Sequence, residues 1–251
     1  MQLALIFLLL FLANVIIYRL RPLGENFYII GDGIVIFLSF LAFVSGLYAY
    51  SLHGFKSLNG KALIFLSFGL LFWFLGELTW GIYEIVLGIE SPVASLADAF
   101  WILGYPFFFL GLVYICRLTS AFKKKNAIAF GFLACLILGS MLYISLPTIV
   151  KDIPVGEKIS TAGYVLGDSL LLILAIYTMP ALYRTKIFVP YFLIILSIIC
   201  MVVADIYYMN FLEEYEVGNL IDLVWNLDYI LLAVGFLYHR ESIKGLLKRK
   251  L

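Results

Sequence analysis

Charge is scarce in this chain: Asp, Glu, Lys and Arg make up only 13% of its 251 residues, where a soluble domain carries about 25%. That excludes an ordinary soluble domain and, with 64% hydrophobic residues, a disordered segment as well. Cysteine occurs three times, as Cys116, Cys135 and Cys200, always inside an apolar run, so a disulfide scaffold is excluded and the thiols read as small packing residues. Histidine occurs twice, as His53 and His239, both at the cytoplasmic ends of apolar runs and far from the acids at the other ends, which argues against a His-ligated zinc or haem. No lysine stands in the middle of an apolar run, so a retinal Schiff base has no attachment point. There is no phosphate-binding P-loop, dinucleotide fingerprint, His-Glu-x-x-His or Gly-x-Ser-x-Gly. The expectation is a non-enzyme with no resident cofactor and no nucleic-acid partner.

What is present is apolar sequence in lengths that suit a bilayer. A spanning helix needs about 20 apolar residues, and eight such runs occur, near 3–20, 32–52, 62–88, 98–119, 127–147, 161–183, 188–211 and 220–239. They are continuous rather than alternating, which excludes a transmembrane barrel. The fold class expected is therefore an all-α, polytopic membrane bundle of eight helices. The first run has no basic residues before it and no small-residue cleavage site before Arg19, so it reads as a first helix rather than a signal peptide. With eight spans, all 17 basic residues except Arg19, Arg21, Lys151 and Lys158 fall on the side that holds both termini. The positive-inside rule makes that side cytoplasmic and places the protein in the plasma membrane. The terminal Lys244–Leu251 segment reads either as a basic patch against anionic lipid or as a simple positive-inside anchor. A single glutamine, Gln2, is a compositional hint of a thermophile.

The chain also resembles itself. Asp98, Trp101 and Tyr105 correspond to Asp222, Trp225 and Tyr229 at an offset of 124; Gly76-Glu77 corresponds to Ala204-Asp205 at 128, and Gly31-Asp32 to Gly167-Asp168 at 136. Two four-helix repeats follow, 1–120 and 121–251. An even number of spans keeps them parallel, with a pseudo-twofold axis along the membrane normal, an arrangement that in transporters places binding sites between the halves.

Of the 16 acidic residues, only Glu241 falls on the cytoplasmic side in this topology. Helical spacing gathers several with aromatic rings: Glu77, Trp80 and Glu84 share one face, as do Asp98, Trp101 and Tyr105; Asp222, Trp225 and Tyr229; and Asp205 and Tyr208. Carboxylates bind hard cations and aromatic faces accept organic ammonium groups. A second reading stands beside this one. Asp98 and Asp222 follow the N-cap residues Ser95 and Asn219 by three positions, and Asp32 stands near a span start, so these three suit helix capping; Asp168 suits it less, because its helix can start earlier. Trp80, Trp101 and Trp225 suit an interfacial belt, and Glu84 suits the headgroup layer. Glu77, Asp205 and Asp228 lie too deep for either role. A carboxylate at such depth faces a cavity or a partner.

The stretch Gly76-Glu77-Leu78-Thr79-Trp80-Gly81-Ile82-Tyr83-Glu84, continued by Ser91-Pro92 and by Asp98-Ala99-Phe100-Trp101-Ile102-Leu103-Gly104-Tyr105-Pro106, resembles the polytopic N-terminal membrane regions of some archaeal and bacterial sensor histidine kinases and diguanylate cyclases. The second half keeps the motif in part, with Asp228 and Ile230 where the first has Gly104 and Pro106. The resemblance implies a sensory input module. With no kinase, cyclase or PAS-like stretch in these residues, it also implies signalling through a membrane or cytoplasmic partner. The leading expectation is a ligand-binding module whose external pocket takes a cation or amine, lined by Glu77, Trp80, Glu84, Asp98, Trp101, Tyr105, Asp205, Tyr208, Asp222, Trp225, Asp228 and Tyr229. A cation or solute transporter using the same carboxylates, and a structural membrane subunit, are the alternatives.

Overall fold

The apolar runs fold as the periodicity requires. The computed structural model describes residues 2–89, 94–119, 121, 127–183, 185, 187–211, 215 and 218–248. The Ser91-Pro92-Val93 loop, the lysines 123–125, and Glu90, Arg184, Lys186, Glu213, Glu214, Glu216, Arg249 and Lys250 lie outside the described residues. Among the described residues the chain is all-helical: α1 (Gln2–Leu20), α2 (Phe27–Tyr50), α3 (Leu58–Gly81), α4 (Leu96–Leu118), α5 (Ala127–Val150), α6 (Val155–Leu182), α7 (Phe188–Asn210) and α8 (Asp222–Lys248). Six of these, α2 to α7, are long and apolar enough to cross a membrane. Large apolar side chains stand exposed along the outer helices, such as Leu9 and Leu12 on α1 and Phe132 and Tyr143 on α5. In water such a surface would be costly, whereas hydrocarbon lipid accepts it.

In the centre, α3 and α4 form the closest pair, α2 packs on α3 and α8, and α6 packs on α7 and α4. The α3–α4 contact is close because glycine lets the indoles in. A Cβ on Gly104 would stand 2.5 Å from the Trp73 ring, and one on Gly76 would overlap Trp101. The middle of the bundle is sealed by fully buried Leu63, Leu66, Leu70, Leu112, Ile194 and Phe236. All three cysteines are free: Cys116 is buried against the Thr178 hydroxyl at 2.7 Å, Cys200 is half-buried, and Cys135 is exposed rather than packed.

Two helices begin earlier than the hydrophobic runs suggest, and this corrects two assignments. A 3-10 turn at Gly24–Asn26, following left-handed Leu23, leads straight into α2 at Phe27, and α6 begins directly after Pro154. Asp32 and Asp168 are therefore not first-turn residues. Both lie inside their helices, 3% and 0% exposed, and cap nothing. At the other helix starts, Ser95 and Asp98 form a complete capping box on α4. Asn219 opens a turn ahead of α8 rather than capping the helix, its side chain accepting from Ile221 N–H at 3.2 Å.

Candidate functional site

The N-terminal ends of α2, α4, α6 and α8 surround a cavity of about 170 Å³. All the expected site residues except Glu84 line it: Glu77, Trp80, Asp98, Trp101, Tyr105, Asp205, Tyr208, Asp222, Trp225, Asp228 and Tyr229. Glu84 departs from the stripe it was expected to share with Glu77 and Trp80. After Gly81 the helix widens into a π-helical turn, Ile82–Val86, closed by Leu87 N–H to the Ile82 carbonyl at 3.0 Å. That turn rotates Glu84 away from the cavity and onto α2, where it hydrogen-bonds Asp32. Such turns are frequent at functional sites.

The acids divide by what holds them. At the rim, Asp98 accepts the Ser95 backbone N–H at 2.8 Å and the Ser95 hydroxyl at 3.0 Å on one oxygen, and the Tyr164 hydroxyl at 2.8 Å on the other. Asp222 accepts Gly218 N–H at 2.7 Å and the Tyr215 hydroxyl at 2.9 Å. Burial, and then the facing Asp222 carboxylate, push the Tyr215 phenol well above its ordinary range, so that it stays a donor. Every oxygen of these two aspartates is occupied by the protein itself.

Deeper in, Tyr229 donates to Glu77 at 2.6 Å, with the Trp101 indole beside that carboxylate. The Trp225 indole donates to Asp205 at 2.8 Å. The Tyr105 hydroxyl lies 2.6 Å from Asp168 and 3.5 Å from the second oxygen of Asp205. Asp228, 1% exposed, lines the cavity with one carboxylate oxygen that has no hydrogen-bond partner. Asp32 likewise lines it with an unpartnered oxygen. The described lining contains no Lys, Arg or His.

Several contributors escaped the sequence reading. Trp73 lines the cavity and donates to the Trp101 carbonyl at 3.2 Å. Its spacing of four residues before Glu77 was the available signal. Tyr164, Tyr215 and Asn226 also line it, and Asn226 donates to the Tyr18 hydroxyl at 3.2 Å, tying α8 to α1. Nothing in sequence spacing links Tyr164 to Asp98, because it reaches across from α6; Tyr215 reaches Asp222 from the chain ahead of α8.

Compared with family models, curated proteins and solved structures, the chain matches none. The functional reading therefore rests on the geometry of the cavity.

Proposed function

We propose that the protein is a membrane-embedded ligand-binding module, sensor-like rather than enzymatic, whose cavity takes a cation or an amine. The observation that carries this reading is Asp228: a carboxylate 1% exposed, with an oxygen left open, in a cavity lined by further carboxylates and by no basic side chain among the described residues. A carboxylate withdrawn from water without a partner costs several kcal/mol. A positively charged guest offsets that cost. The aromatic wall suits the same guest, since Trp and Tyr faces attract cations by about 0.5–2 kcal/mol each.

In this reading all eight helices span the plasma membrane as two parallel four-helix repeats, 1–120 and 121–251, with both termini cytoplasmic and the cavity facing outward. The packing supports the repeat: α2 against α3 and α8 is matched by α6 against α7 and α4. The peripheral helices follow it less well, α1 leaning on α8 and α5 on α6 and α7. Binding is favoured over transport by the fully buried apolar side chains Leu66, Leu70, Leu112, Ile194 and Phe236 in the interior of the bundle. The signal then passes to a membrane or cytoplasmic partner.

Thermal unfolding of the detergent-purified protein against Ca²⁺, Mg²⁺, Mn²⁺, choline and polyamines tests the proposal, with Asp228→Asn as the comparison. A ligand at 100 times its Kd stabilises the folded state by about 2.7 kcal/mol. A shift with one of these cations that Asp228→Asn abolishes is the expected result. No shift with any of them overturns the reading in favour of a structural membrane subunit.

A further inference from the structure

We infer that the guest is a short linear diamine, one ammonium held at Glu77 and the other at Asp205, with the open oxygen of Asp228 as a further acceptor; the inference rests on the cation-or-amine reading above and narrows it. The two carboxylates are built alike from opposite halves of the chain. Glu77 on α3 is held by Tyr229 from the other half, with Trp101 of the next helix beside it. Asp205 on α7 is held by Trp225 of the next helix, and Tyr105 of the other half approaches it at 3.5 Å. The Trp225 indole N–H donates to Asp205 and the Tyr229 hydroxyl to Glu77, so each carboxylate presents an acceptor oxygen that is fixed in place by the protein.

The open oxygen of Asp228, buried and lining the same cavity, is the independent sign that the lining is incomplete without a guest. A single metal ion does not fit this layout. A Ca²⁺ site gathers six to eight oxygens at about 2.3–2.6 Å around one point. Among the described residues no three acidic, His or Cys side chains converge in that way. Carboxylates dispersed around an aromatic cavity suit charges dispersed along a chain. Size agrees: an engineered cavity of ~150 Å³ takes benzene, six heavy atoms. The 170 Å³ here accommodates a comparable count, that of 1,4-diaminobutane or its five-carbon homologue.

Isothermal titration of the full-length, detergent-purified protein with 1,4-diaminobutane, 1-aminobutane and CaCl₂ decides the matter on the unaltered chain. The expected result is saturable binding of the diamine, about tenfold or more tighter than the monoamine that lacks the second charge-assisted contact, with Ca²⁺ failing to compete. Glu77→Gln and Asp205→Asn should each bring the diamine down to the affinity of the monoamine. Equal affinity for diamine and monoamine, or displacement of the diamine by Ca²⁺, overturns the diamine while leaving the cation-or-amine reading standing. Binding of none of the three, together with no response to choline or longer polyamines in the unfolding series, overturns both.

Discussion

The rim and the depth of the cavity use the same residue types for different ends. Asp98 and Asp222 stand at helix starts, beside chain that has not yet entered the helix, and each is filled by a backbone N–H from that chain (Ser95 or Gly218) and by a tyrosine hydroxyl. Asp228, six residues along α8 from Asp222, has no free backbone donors near it and keeps an open oxygen. The difference comes from position: the non-helical chain just ahead of a helix has backbone N–H groups to give a carboxylate, and the helix interior has already spent its own. An acid in the first turn can thus be structural. The same acid two turns further in needs a ligand, a proton or a neighbouring side chain.

Leucine at these two positions of α8 should therefore act in opposite directions on the ligand-free protein. Asp228→Leu removes an unpartnered buried oxygen and should raise stability by about 1–3 kcal/mol while eliminating ligand-induced stabilisation. Asp222→Leu strands the Gly218 N–H and the Tyr215 hydroxyl and should lower stability by about 1–2 kcal/mol. Thermal midpoints of both variants, with and without ligand, check the pair. Destabilisation by Asp228→Leu of the same size would erase the distinction between rim and depth. Tyr164→Phe is a finer probe. It removes one hydroxyl from Asp98, whose other oxygen keeps its capping box, so about 1 kcal/mol of stability should go and ligand affinity should hold.

Much of the fold was readable before any coordinates, because long apolar runs interrupted by Pro, Gly and charge admit few other solutions. Glu77, Asp205 and Asp228, expected to lie too deep for capping, stand inside α3, α7 and α8. Asp32 was misplaced, and Asp168 left between two roles, because hydropathy marks where lipid-like sequence starts, and a helix starts where its backbone can. The 3-10 turn before Phe27 and Pro154 before Val155 set those starts upstream of the apolar runs. The Tyr164–Asp98 and Tyr229–Glu77 pairs were out of reach for another reason. With 17 tyrosines in the chain, composition gives no way to choose the partner, and only tertiary packing brings together residues 66 and 152 positions apart.

The far end of the bundle supplies a control for the cavity. There the His53 and His239 rings meet Nε2 to Nε2 at 2.9 Å, which joins the turn after α2 to α8 and requires one ring to donate and the other to accept. Arg240 stacks 3.7 Å over Tyr48 and donates to Ser51 at 2.8 Å beside them. Burial lowers the His53 pKa below its ordinary value. The unfolded chain then binds more protons than the folded one in the acid range, so the stability tied to this imidazole is present above about pH 6.5 and declines as the pH falls below it. A second proton also destroys the bond by making both rings donors. Thermal midpoints between pH 8 and pH 5 should therefore fall less steeply in His53→Gln than in the unaltered chain, with ligand affinity at pH 8 the same in both. A change in affinity at pH 8 would mean that the histidine pair and the cavity are coupled through the apolar layer between them, and that the two ends of the bundle do not act separately.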